Sequence, residues 1–252
     1  MQPGMKQVVF GVEKFAVMSN SPDKLKKPYA SVLSGIGKGK TEITKLIRDR
    51  RNFAPIFEPV ESNPYLERFY TENDGVKTWA AWKELRFLAD RLIIEAYQLP
   101  VLLESTDSEG VIEDSNRRQD NSYTWLHHHD GNIDHDAWDL YKTFNKLGNL
   151  LSKKPDLIIH PKAEVVVARQ RIKKRGRPFE QAITDEYLTL VDQAILYAIA
   201  ELVKTGSALL EYGTNHRNLV DNEDDIQDFL STFDAKLVEI GFPQFKKYQS
   251  KD

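Results

Sequence analysis

Residues 29 to 51 restrict the fold more than any other stretch of this chain. Tyr29-Ala30-Ser31-Val32-Leu33 is a short apolar strand candidate, and Gly35, Gly37 and Gly39 follow it at once. Ile43, Leu46 and Ile47 then recur at helical spacing between Thr41 and Arg51. A strand, a glycine turn and a helix in that order open a nucleotide-binding α/β unit. In Ser34-Gly35-Ile36-Gly37-Lys38-Gly39-Lys40-Thr41 the glycines let successive N–H groups turn inward toward phosphate oxygens, and the helix adds its positive N-terminal end. Lys40 is placed to reach the β- and γ-phosphates, and the Thr41 hydroxyl to ligate Mg²⁺. The strict pattern has glycine at position 34, where this chain has serine.

Downstream, strand and helix patterns alternate. Ala54 to Val60 reads as a second strand ending at a proline, and Trp79 to Gln98 as a strong helix with Trp82, Leu85, Leu88, Leu92 and Ala96 along its stripe. Val101-Leu102-Leu103 and Val111-Ile112 compete for one central strand. Helices are predicted over 137–151, 164–174, 184–204 and 224–240, with strands at 157–159 and 208–212. This is an α/β pattern: a central parallel sheet of about five strands flanked by helices on both faces. Residues 1–28, with a turn cluster at Asn20 to Asp23 and a lysine-rich linker, read as an N-terminal extension to one domain over 29–252.

Composition narrows the classes. With 35 Lys and Arg against 38 Asp and Glu the formal net charge is −3, which excludes a generally polyanion-coating surface. There is no cysteine, so disulfides, thiolate metal sites and cysteine nucleophiles are excluded. No apolar run approaches the roughly 20 residues of a membrane-spanning helix. Lys6, Glu13 and Lys14 interrupt the apolar pieces at the start, so no signal peptide is expected. The expectation is a soluble cytoplasmic protein.

Two further motifs carry a resemblance. Phe57-Glu58-Pro59-Val60-Glu61-Ser62-Asn63-Pro64-Tyr65-Leu66-Glu67-Arg68-Phe69-Tyr70 and Arg171-Ile172-Lys173-Lys174-Arg175-Gly176-Arg177-Pro178-Phe179-Glu180-Gln181 stand in order after the glycine loop. Together the three resemble the deoxynucleoside kinases, especially bacterial deoxyadenosine and deoxyguanosine kinases, over roughly residues 29 to 240. The resemblance implies a P-loop kinase three-layer fold with an arginine-rich lid. It also implies transfer of a γ-phosphoryl group from ATP or GTP to the 5′-hydroxyl of a deoxynucleoside, as in nucleotide salvage, with Mg²⁺ as cofactor. Glu58 matches the carboxylate that takes the hydroxyl proton, and Arg171, Arg175 and Arg177 match the lid cations that close on the triphosphate. Gly35, Ile36, Gly37, Lys38, Gly39, Lys40 and Thr41 match the phosphate cradle. Tyr70 and Glu180 match the partners of the sugar 3′-hydroxyl, and Glu84 and Arg91 the base-reading positions. Members of the family pair as homodimers, so a homodimer is implied.

The pattern is not kept throughout. The family has glutamine where this chain has Glu84; an ionised glutamate only accepts hydrogen bonds, so base choice should change. The family's Glu-Arg-Ser at the end of the third core strand is matched here to Glu113-Asp114-Ser115, with Glu113 expected to assist Mg²⁺ and the arginine lost. Arg117 and Arg118 lie close enough to replace it if the loop has shifted. Three readings follow: a divergent deoxynucleoside kinase, a related kinase acting on a nucleotide or a hydroxymethylated base in DNA, or a catalytically weak kinase-like binding subunit. Nucleic acid is a partner only under the second. His127, His128, His129 and His135, interspersed with Asp130, Asp134 and Asp136, raise a metal site, but no two of these histidines stand four residues apart. An exposed polar turn is expected there, and His160 and His216 are expected to be packed or surface residues.

Overall fold

Every residue of β1 (Tyr29–Val32) is buried, as expected of a parallel strand covered on both faces. The computed structural model describes residues 26–248; residues 1–25 of the expected extension lie outside the described residues. After β1 come α1 (Lys40–Arg51), β2 (Phe53–Ile56), α2 (Leu66–Thr71), α3 (Gly75–Ile93), α4 (Leu99–Glu104) and β3 (Gly110–Asp114). They are followed by α5 (Arg117–His129), α6 (His135–Leu151), β4 (Leu157–Lys162), α7 (Val165–Arg175), α8 (Asp185–Lys204), β5 (Ala208–Gly213) and α9 (Glu223–Glu239).

The strands form one parallel sheet in the order β2-β3-β1-β4-β5. The chain leaves β1 toward one side and later returns to the other. A crevice therefore opens beyond the carboxyl ends of β1, β3 and β4, where such sheets bind ligands. Register puts Val32 beside Asp114 of β3 and Ile159 of β4, so the glycine loop leaves β1 level with both neighbours. One face of the sheet packs on α1 and α9 through Ile43, Ile47, Phe229 and Phe233, the other on α5 and α8 through Leu126, Val191, Ile195 and Ile199. Each such side chain contributes on the order of 1.5–3 kcal/mol by leaving water. Beneath the first face, Arg51 of α1 donates to Asp234 of α9 at 2.6 to 3.0 Å, a bidentate pair away from solvent.

The helix predicted to end at Gln98 does not end there. The chain passes from α3 through a single π turn, Ile94–Gln98, directly into α4. Pro100 has no N–H to give the preceding turn, and a widened turn relieves that defect without breaking the rod. Val101-Leu102-Leu103 is therefore helical, and Val111-Ile112 takes the central-strand position. The histidine run is also not an exposed turn. α5 continues through His129, and His127 is buried. Among the described residues no group of three His, Cys, Asp or Glu is arranged to hold a metal. His160 is buried, its Nδ1 at 2.8 Å from the Leu33 carbonyl.

Candidate active site

At the end of β1 the backbone turns through Ser34, which is wholly buried. Its N–H donates to Gln119 Oε1 at 3.0 Å and its hydroxyl to the Pro161 carbonyl at 2.8 Å. These bonds explain how serine serves where the strict pattern has glycine: the side chain ties the loop to β4. Gly37 and Gly39 take φ of 78° and 95°, the left-handed region glycine tolerates. A Cβ on Gly37 would lie 2.6 Å from the Ala168 carbonyl oxygen, so the loop and α7 are in close contact. Lys40 folds back, donating to the carbonyls of Ser34 at 2.8 Å and Gly35 at 3.2 Å, while Lys38 pairs with Asp192 at 2.5 Å.

The carboxyl end of β3 corrects one expectation. Strand alternation sends Glu113 and Asp114 to opposite faces. Asp114 faces the loop and accepts from the Thr41 hydroxyl at 2.6 Å; its other oxygen, Oδ1, is buried without a hydrogen-bond partner. Glu113 faces away from the cleft, accepting from the Tyr29 hydroxyl and from Arg91 at 3.1 Å, and its burial pushes its carboxyl up to about 7. Next, Ser115 adopts φ 68° and the Asn116 side chain caps α5 by accepting from the N–H groups of Arg118 and Gln119. Arg117 does not enter the site: it donates to Glu95 Oε2 at 2.8 Å and to the Asn145 carbonyl at 2.8 Å. Neither Arg117 nor Arg118 lines the cleft.

A cleft of about 1200 Å³ runs from the loop, past Glu58, to a pocket walled by Tyr70, Lys83 and Glu84. Glu58 follows β2. Burial pushes its carboxyl up to about 7; Lys40 opposes the shift, Asp120 and Asp114 add to it, and Arg91 works against it. Burial and then the nearby Glu180, Glu84 and Glu58 raise the Tyr70 hydroxyl. Arg91 lies wholly buried behind the wall, donating to Asp120 Oδ2 at 2.9 Å and to Glu113. Burial alone would lower its pKa, but Asp120, Glu113 and Glu58 outweigh that and raise it. Asp120, Gln119, Tyr123 and Lys83 were not singled out from sequence, yet all four line the cleft. The readable signal for Asp120 was an acid in the first turn of a helix directly after a core strand.

The segment after β4 covers this cleft. Arg171 donates to the Thr214 hydroxyl at 3.1 Å and the Thr214 carbonyl at 2.5 Å. Arg175 and Arg177 both donate to Glu180, which sits in the short turn Pro178–Glu180. Gly176 at φ 71° ends α7 and reverses the chain between the two arginines. Arg171, Arg175, Arg177 and Glu180 all line the cleft with the loop and Glu58.

The chain is similar to several known proteins. A deoxyguanosine kinase of Bacillus subtilis is 30% identical over 207 residues, covering 79% of this chain and 93% of its own. A deoxyadenosine kinase of Lactobacillus acidophilus is 27% identical over 220 residues, covering 83% and 97%. Among solved structures, deoxyadenosine kinase from M. mycoides with bound dATP superposes with a TM-score of 0.64 at 22% identity, covering 82% of this chain and 98% of that one. The family model for deoxynucleoside kinases matches residues 31–239, from inside β1 to the end of α9. The glycine loop, the Glu58 segment and the arginine lid thus meet in one cleft within that span, and the chain belongs to the deoxynucleoside kinase family.

Proposed function

We propose that this protein moves the γ-phosphoryl group of ATP or GTP to the 5′-hydroxyl of a deoxynucleoside, using the residues gathered in this cleft. The observation that carries the assignment is the continuity of the cleft. A phosphate-binding loop at one end and a pocket walled by Tyr70, Lys83 and Glu84 at the other are joined across a carboxylate poised near neutrality. In the proposed step Glu58 accepts the hydroxyl proton as the acceptor oxygen bonds to the γ-phosphorus, and the bond to the leaving diphosphate oxygen breaks. The loop N–H groups and Lys40 hold the β- and γ-phosphates, and Arg171, Arg175 and Arg177 neutralise charge on the transferring group when they leave their present partners. Tyr70 and Glu180 orient the sugar.

The Thr41 hydroxyl and Asp114 fit a magnesium site, because the buried Asp114 Oδ1 lacks a partner and two hard oxygens face the loop. Mg²⁺ held there would supply positive charge against the phosphate oxygens. Asp114 thus takes the role expected of Glu113. We also infer a homodimer, supported by Leu140, Phe144, Leu147 and Leu150 exposed along α6 and by Ile93 and Tyr97 exposed nearby on the α3 rod. The reaction is assigned to the cytoplasm, where the triphosphate donor is made; among the described residues no helix is long and apolar enough to cross a membrane.

The test is transfer of γ-labelled phosphate from ATP and from GTP, with Mg²⁺, to the four deoxynucleosides, ribonucleosides, monophosphates, and plain and hydroxymethylated DNA. Labelled 5′-monophosphate that disappears in Glu58→Gln is the expected result. Label only on nucleotides or DNA would move the chemistry to another acceptor, and no transfer despite triphosphate binding would leave a binding protein.

A further inference from the structure

α3 places two consecutive charged residues, Lys83 and Glu84, in the wall of the acceptor pocket, with only 3% and 2% of their surfaces exposed. Lys83 Nζ lies 2.8 Å from Glu84 Oε1, 3.4 Å from His127 Nε2 and 4.0 Å from the centre of the Phe69 ring. Glu84 Oε1 is buried, and its close partner is this ammonium; burial pushes the Glu84 carboxyl up, and Lys83 opposes the shift. Burial, and then Lys83, push the His127 imidazole down, so it adds no competing positive charge. Asp120, on the facing helix, is already held by Arg91. This end of the pocket therefore presents a carboxylate and a desolvated ammonium side by side.

The two groups make complementary demands. A carboxylate accepts and cannot donate, while an ammonium donates and cannot accept. An edge that suits both carries adjacent donors followed by an acceptor. Guanine has that edge: the 2-amino group, N1–H and O6 in sequence. Adenine and cytosine set a single amino group beside a ring nitrogen lone pair, which a carboxylate repels. Thymine has one N–H between two carbonyls. We infer that Glu84 and Lys83 make guanine the preferred base, Glu84 accepting from N1–H and the 2-amino group and Lys83 donating to O6. The inference rests on the deoxynucleoside acceptor proposed above and deepens it.

The experiment measures kcat/KM for deoxyguanosine, deoxyinosine, deoxyadenosine and deoxycytidine in the wild type, Glu84→Gln and Lys83→Met. A bidentate pair discriminates by about 10- to 100-fold, so deoxyguanosine should exceed deoxyadenosine and deoxycytidine by that factor. Deoxyinosine, which lacks the 2-amino group, should fall below deoxyguanosine by about tenfold. Glu84→Gln places there a side chain that both donates and accepts, and should cut the deoxyguanosine-to-deoxyadenosine ratio by about tenfold or more. Lys83→Met should lower deoxyguanosine and deoxyinosine together, because both carry O6. Ratios within one variant do not depend on how much of the preparation is folded. A wild type that prefers adenine or cytosine, or a ratio unmoved in Glu84→Gln, overturns the assignment of these residues while leaving the kinase reaction standing. Failure of every nucleoside to accept phosphate overturns the acceptor class, and this inference with it.

Discussion

Between about pH 8 and about pH 6 the wild-type enzyme should lose roughly tenfold in kcat/KM for its nucleoside, because a group titrating near 7 is about nine-tenths ionised at the first and one-tenth at the second. The structure says why the group is Glu58 and how to move it. Burial is the largest influence raising its carboxyl to about 7, and Asp120 raises it further while Lys40 and Arg91 pull it down. Asp120→Asn removes one charge that raises Glu58 and also frees Arg91, whose Nε donates to Asp120, from half of its neutralisation. Both changes favour the ionised base, so the acid limb should shift to lower pH, and the variant should keep a larger share of its own plateau at pH 6 than the wild type does. Taken at triphosphate well below its own KM, kcat/KM reports the ligand-free enzyme, so the comparison applies to the structure described here. Glu58→Gln should abolish the limb and cost about 10²- to 10⁴-fold, the usual worth of a general base. The assay is steady-state transfer of labelled phosphate at fixed ionic strength. A flat wild-type profile between these pH values, a limb unmoved in Asp120→Asn, or a limb surviving in Glu58→Gln would refute the reasoning.

Three other outcomes are expected. Glu58 binds its proton more tightly folded than unfolded, so its ionisation opposes folding as pH rises from the unfolded value near 4.3 to about 7; Glu58→Gln should match the wild type in thermal stability at about pH 4 and exceed it at about pH 8, by on the order of 1–3 kcal/mol. Asp234→Ala strands Arg51 beneath the sheet and should cost about 3–5 kcal/mol in urea unfolding, since a buried pair broken on one side leaves an uncompensated charge. Gly37→Ala and Gly39→Ala both place a side chain at positive φ, but only the first drives its Cβ into Ala168, so Gly37→Ala should weaken triphosphate binding more in a fluorescent-nucleotide titration. Equal losses in the two would remove the contact with α7 as the reason.

Much of the site was legible because its chemistry is contiguous in the chain. Gly35 to Thr41, the segment around Glu58 and the basic run from Arg171 each lie within a few residues, and local spacing displays them. What escaped was whatever depends on elements meeting in space. Glu113 and Asp114 differ by one position and thus by a whole face of the sheet, which composition alone does not decide. Arg117 looked available as a replacement cation, but Glu95, brought close by the π turn, claims it first. Lys83 lies outside the apolar stripe read for its helix, and its burial against His127 of α5 depends on packing that spacing does not display. Val101-Leu102-Leu103 had the composition of a strand, and only continuity with the preceding rod made it helical.

Glu180 holds two of the lid's arginines in the ligand-free protein and is also the proposed anchor for the sugar. If these arginines bind phosphate as proposed, incoming phosphate oxygens compete with Glu180 for the same N–H groups, and loading the donor releases the carboxylate proposed to hold the sugar. Under those roles the two substrates are thermodynamically linked through one side chain. Linkage is reciprocal: whatever affinity the nucleoside gains from bound triphosphate, the triphosphate gains equally from bound nucleoside. In the proposed scheme the lid thus favours a ternary complex over what the two separate affinities would give.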